Sequence, residues 1–392
     1  MKLLLFVPWL MVATAAQAVE FHPLLQLEGR GIYENQQVSA RSDFGSTANL
    51  FVVPALDFGP RWSLAPVLAY LREGRGLVIE EGSFFTSQNT FLAKPVLRYR
   101  ASSAWDLKAW GSAKRAVNQE AEGEAWSIGL YDFEEFGGGV GLDWHPGGGL
   151  EKASLGLEVM HRGYPNWHEL GATATRGLNY YSKDYNGWKL ALDLAGDRKA
   201  AWGWKTGVTV LQKYYSDSLL VNAADGTLDY DKLRSDNLIR YNLGGRASFT
   251  PQWSANLDLA VDWNNSNQNF YDGAFGQREP GFYDYLSVGG GPSLTWTPSG
   301  NEGPGLTASL SLTNRTYDGR LVRHSDGSYT RSKQADFEQR YGLDGRWPIF
   351  TKGLALVGGL DYLLSSSNQG FEQNLRYTYD LFNANLGLQY RL

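Results

Sequence analysis

The segment Trp253-Ser-Ala-Asn-Leu-Asp-Leu-Ala-Val-Asp-Trp263 constrains the fold more than any other feature. Every odd-numbered position in it is apolar, and Ser254, Asn256, Asp258 and Asp262 occupy even-numbered ones. A period of two belongs to an extended strand whose successive side chains point to opposite sides. One side therefore meets an apolar medium and the other meets water. The two Trp residues stand roughly 33 Å apart along such a strand, which matches a tilted crossing of a hydrocarbon layer.

The same alternation recurs along the chain. Phe91, Ala93, Pro95, Leu97 and Tyr99 alternate with Lys94, Arg98 and Arg100. Phe136, Val140, Leu142 and Trp144 alternate with Glu135, Gly139 and Asp143, and Tyr341, Leu343 and Trp347 with Arg340, Asp344 and Arg346. A soluble two-sheet sandwich can also alternate, so the connections decide between the two. Some sixteen extended segments, from 23–33 to 374–391, are joined by connections that run long, short, long, short. The short ones are 58–61, 101–104, 145–151, 195–200, 250–252, 298–303 and 348–352. Long ones such as 34–46, 162–181, 215–236, 265–281 and 317–334 are rich in Asn, Asp, Gly, Ser and Tyr. An up-and-down barrel with both termini on one side of a membrane requires this rhythm. The expected fold is all-β: a transmembrane antiparallel barrel of about sixteen strands, with short periplasmic turns and long external loops.

Phe382, Ala384, Leu386, Leu388, Tyr390 and Leu392 alternate to the last residue, opposite Asn383, Asn385, Gln389 and Arg391. This end resembles the terminal signal of Gram-negative outer-membrane β-barrels of the porin-like kind, which the barrel-assembly machinery recognises. It departs from the commonest form, because the last residue is Leu and the aromatic Tyr390 stands two positions earlier. Ser365-Ser-Ser-Asn-Gln369, Tyr377-Thr-Tyr-Asp380 and Leu386-Gly-Leu-Gln-Tyr390 also resemble the ending of barrels from polymer-export and surface-lipoprotein assembly proteins.

At the other end, Lys2 precedes an apolar run and Ala16-Gln17-Ala18 offers small residues at alternate positions. That pattern predicts a removable export signal over 1–18, with the barrel occupying 19–392. Loss of that segment removes one Lys and no acid, which moves the formal net charge from −5 to −6. Such a balance argues against a nucleic-acid partner. With no cysteine in the sequence, a lipidated N-terminal Cys, a disulfide and a thiolate metal site are all excluded. The chain carries 14 Trp, 22 Tyr and 18 Phe, which a membrane barrel can place in girdles at both lipid interfaces.

The side of each strand opposite its apolar residues should face the lumen. The expected lining includes Lys94, Arg98, Arg100, Asp106, Lys108, Lys114, Glu135, Asp143, Asp258, Asp262, Arg340, Asp344 and Arg346. Charges of both signs nearly cancel there, although Lys94, Arg98, Arg100, Lys108 and Lys114 fall on two consecutive strands. Trp110 is an inward aromatic with potential to stack on solute. Residue patterns for chemistry are weak. His161 and His168 have no common zinc spacing. Gly137-Gly-Gly-Val-Gly141 and Gly289-Gly-Gly291 lack the Lys-Ser/Thr of a nucleotide loop and sit inside alternating strands. Asp225, Asp229, Asp231 and Asp236 lack the spacing of an EF-hand, while Asp225-Gly226 and Asp326-Gly327 read as hairpin turns. No cofactor or catalytic set is expected.

The leading functional expectation is a channel passing small polar solutes, in contact with outer-membrane lipid. A barrel component of an export or electron-transfer conduit, sheathing a periplasmic partner protein, is the second. A hydrolase acting at the barrel rim is the third.

Overall fold

The computed structural model describes residues 19–36, 41–78, 83–119, 125–167, 183–196, 201–222, 224–299, 303–349, 353–371 and 377–392. The export signal expected over 1–18 lies outside these residues, as does His168. The strands are β1 (Val19–Gln36), β2 (Arg41–Phe58), β3 (Trp62–Val78), β4 (Ser83–Arg100), β5 (Trp105–Gln119) and β6 (Phe133–Trp144). They continue as β7 (Leu150–Gly163), β8 (Tyr185–Gly196), β9 (Trp202–Val221), β10 (Leu228–Ser248), β11 (Trp253–Ser266), β12 (Phe270–Asp272) and β13 (Gln277–Glu279). The chain finishes with β14 (Tyr285–Trp296), β15 (Gly305–Arg323), β16 (Tyr329–Pro348), β17 (Leu354–Ser367) and β18 (Tyr379–Arg391).

All but β12 and β13 form one closed antiparallel barrel in which every strand pairs with its sequence neighbours. Closure is made by β18 on β1, in register from Gln26↔Arg391 to Asn35↔Phe382. No backbone edge is then left to face lipid, which is the condition for a sheet to cross a bilayer. The barrel wall has the sixteen strands that the rhythm of connections requires. The short strands β12 and β13 form a hairpin of their own inside the connection from β11 to β14.

The apolar alternates of every strand point outward. Val140 and Val159 are each 59% exposed, and Leu257 and Leu360 are close to half exposed. In water such a surface would aggregate; in lipid each aliphatic side chain contributes about 1.5–3 kcal/mol. Aromatic pairs mark the short-turn end of the wall. Trp62 packs on Tyr99 at 4.6 Å between ring centres, Trp105 stacks on Trp144 at 5.7 Å, and Trp253 meets Trp296 at 6.2 Å. Tyr70 with Phe91 belongs to the opposite end of the apolar band, so two girdles bound it. An even-stranded closed barrel with this belt is the architecture of the Gram-negative outer membrane, and that is where this protein resides.

Several of the expected long loops are strand instead. The segments expected as loops over 215–236 and 317–334 continue as paired strand, with Leu228 opposite Val221 and Arg323 opposite Tyr329. Their polar residues do not stop pairing, since an antiparallel ladder needs only backbone groups. Tight turns then close them at Gly226 and Gly327, whose φ values are 73° and 86°. β10 has 21 residues, about twice the number that crosses a bilayer, so the excess projects outside.

Candidate functional site: the polar inner face

Between the apolar residues of each strand, the opposite face carries the charges, and the register brings them together in chains. Asp106 on β5 is bonded by Arg98 of β4, with Arg100 Nε at 3.8 Å and His145 Nε2 at 3.1 Å. One strand further, Asp143 is bonded by Lys108 and lies 3.1 Å from Lys152 Nζ. Glu158 holds Lys189 at 2.6 Å, Asp258 holds Lys205 at 2.7 Å, and Asp262 receives both ends of the Arg240 guanidinium at 2.6 Å. Arg340 donates to Asp361 at 3.2 Å. Arg30 bonds Glu28 at 2.7 Å and approaches Asp344 at 3.9 Å, while Arg346 reaches Gln389 at 3.4 Å. Asp106, Asp143 and His145 bring metal-ligand atoms within reach of one another. Their carboxylates are already held by Arg98, Lys108 and Lys152, however, so the group is an ion-pair network.

Towards the loop end, cations rest on aromatic rings. Arg162 donates to Glu135 at 2.6 Å and lies 4.3 Å from the centre of Phe133, over which Lys114 also stands at 5.2 Å. Arg234 sits between Tyr215 and Tyr283 at 4.5 and 4.2 Å and bonds Asp236 at 2.8 Å. Arg320 sits between Phe282 and Tyr317, at 4.3 and 4.1 Å. The connection from β11 to β14 packs against this zone. Its Pro280 carbonyl comes so close to Gly319 that a Cβ there would lie 2.0 Å away, and the buried Glu279 accepts from Leu321 N at 2.7 Å.

The acidic residues expected as one loop cluster separate. Asp229 pairs with Lys232 at 3.0 Å, whereas Asp236 is buried with Arg234, Tyr215 and Ser266. His161 shares a 3.0 Å hydrogen bond with Asn186. Gly139 and Gly141 form a bed for the Trp110 ring. A Cβ on Gly139 would lie 2.4 Å from Trp110 Cζ2, and one on Gly141 would lie 3.2 Å from Cζ3. The ring is thus laid flat along the wall.

One part of the inner face is not polar. The register Leu24↔Val53, Phe51↔Ala69, Val67↔Lys94 and Val96↔Trp110 puts apolar side chains on the same face as the charges of β5 and β6. Sequence periodicity misses this wall because 50–56 and 64–71 are apolar at nearly every position. The loss of alternation there was itself the available signal.

No family model and no curated protein matches the sequence. Among solved structures, the anion-selective porin from Comamonas acidovorans is similar over 96% of this chain and 100% of its own, at 10% identity and a TM-score of 0.43. OpdO from Pseudomonas aeruginosa is similar over 95% of this chain and 97% of its own, at 9% identity and a TM-score of 0.46. A bacterial polysaccharide outer-membrane secretin covers 94% and 98%, at 8% identity and a TM-score of 0.44. At these identities the likeness is one of architecture. The closed antiparallel wall, its apolar outer belt and its aromatic girdles are this chain's own, and by them it is an outer-membrane β-barrel.

Proposed function

We propose that this barrel is a channel through which small polar solutes cross the outer membrane, and that the charged face described above lines its aqueous lumen. The observation that carries the reading is the pairing of charges on a face turned away from lipid, in a barrel of a size that leaves a water-filled interior. Lys94, Arg98, Arg100, Asp106, Lys108, Lys114, Glu135, Asp143, Asp258, Asp262, Arg340, Asp344 and Arg346 are the proposed lining. An internal recess of about 700 Å³ bordered by Asp193, Lys205, Asp258, Asp262 and Arg315 supports it.

Opposed charges along the wall create a transverse field that orients dipolar solutes and disfavours apolar ones. Because most of the carboxylates described above are held by a cation, the wall keeps its charges without strong net attraction for either ion. Purified protein in a planar bilayer should show discrete conductance steps that grow with salt concentration and need no partner. Bilayers that incorporate the folded barrel and stay silent would refute the reading.

A further inference from the structure

We propose that the inner wall carries a recognition site for organic monocarboxylates with an apolar body, with Lys94 taking the carboxylate and the apolar face of β2 to β4 taking the hydrocarbon. The site rests on the channel reading only for the access of solute to the wall. Three observations converge on it.

First, Phe51, Val53, Val67 and Val96 share the face of the ion-paired residues, where a lumen that only conducts ions has no use for them. Exposed to water they carry an unfavourable hydration that a hydrocarbon ligand would relieve. Second, Lys94 is paired across the strands with Val67 and stands 5.1 Å over the Trp110 ring. Among the described residues no carboxylate pairs with it, in contrast to Lys108, Lys189 and Lys205, each of which is held by an acid. Third, Trp110 lies flat on its glycine bed in the same cross-strand row as Val96. Its buried Nε1 has no hydrogen-bond acceptor.

A cation without a counter-ion, at the margin of an apolar surface and beside an aromatic ring, complements a ligand with one negative charge and a hydrocarbon body. A carboxylate on Lys94 forms a charge-assisted hydrogen bond. The ligand body then covers Val67 and Val96. A small hydrophilic anion forfeits the second interaction, and a neutral alcohol forfeits the first.

Benzoate is the probe, with acetate and benzyl alcohol as the two partial ligands. Calorimetric titration of the full chain in detergent, blanked against empty micelles, should show benzoate binding about ten-fold tighter than either partial ligand. Lys94→Gln should weaken benzoate binding about ten-fold, and Val67→Ser should weaken it without changing acetate. Both variants should still run as the compact, heat-modifiable form on a denaturing gel, which reports that they fold. Benzoate binding no tighter than acetate, or unchanged in Lys94→Gln, overturns the proposal. A barrel that conducts salt but binds no benzoate refutes this site and spares the channel; one that binds benzoate but never conducts refutes the channel and spares the site.

Discussion

Trp110 and Gly139 are cross-strand partners, and the ring of the first occupies the space that a side chain on the second would fill. A methyl group at 139 would meet both Trp110 Cζ2 at 2.4 Å and the Leu157 carbonyl at 2.5 Å. One of these is backbone and cannot swing aside. Gly139→Ala should therefore destabilise the barrel by about 1–3 kcal/mol. The check is the temperature at which the folded, compact form on a denaturing gel converts to the unfolded one. Gly29 has open space around its missing Cβ, so Gly29→Ala should leave that temperature nearly unchanged.

Asp143 is 4% exposed and serves Lys108 and Lys152 together. Asp143→Asn leaves both lysines charged and removes their shared acceptor. Those lysines are partly exposed and can turn into water, so the stability cost should stay near about 1 kcal/mol, below the figure for a fully buried pair. Selectivity should move further. Reversal potentials in a salt gradient should shift towards chloride, with the permeability ratio rising roughly two-fold. An unchanged ratio would place Asp143 away from the ion path.

A lysine should cost most where the outer wall meets the middle of the lipid. Val140 stands outward and 59% exposed, so Val140→Lys should reduce stability in lipid by about 2–4 kcal/mol. Thr307→Lys, on the opposite face and across from Asp344, should cost less than about 1 kcal/mol. Urea unfolding in vesicles compares the two. Equal costs would contradict the assignment of faces.

Burial raises the pKa of Glu279, in the connection outside the barrel wall, although the Leu321 N–H it accepts pulls the other way. A carboxyl with a raised folded value favours the docked connection when protonated. That contribution is complete below the unfolded value and is lost as pH rises through the folded one. Cleavage of the connection by an added protease should therefore be slower at low pH than at neutral pH, beyond the protease's own pH profile. In Glu279→Gln, whose amide stays neutral, that pH dependence should shrink to the part carried by Asp284, whose pKa burial in the same connection also raises.

The outer wall was legible because lipid demands an apolar residue at every second position, and 253–263 shows that demand directly. The turn end was legible too, since Gly, Pro and Ser interrupt the alternation there at short intervals. The turns at Asp225-Gly226 and Asp326-Gly327 were legible, but the strand that leads into and out of them over 215–236 and 317–334 was not, because polar residues of β-capable type fit equally well in a loop and in a solvated ladder. Nor was the meeting of Asp106 with His145, which are 39 residues apart and approach only after β5 and β6 have paired. Lys94 and Trp110 each stood out in the sequence. Their contact depends on the register set by the turn at 101–104, and the apolar wall beside them is masked by the strands' second apolar face.

Every cysteine introduced into this chain is the only one, which permits a direct test of the two-faced wall. Single substitutions Ser254→Cys, Ala255→Cys, Asn256→Cys, Leu257→Cys, Asp258→Cys and Leu259→Cys are placed along β11, and the barrel in lipid vesicles is treated with a charged maleimide. Reaction should be fast at 254, 256 and 258 and at least about ten-fold slower at 255, 257 and 259, where lipid excludes the reagent. Equal reaction at neighbouring positions, or the reverse alternation, would contradict a barrel with lipid outside and water within.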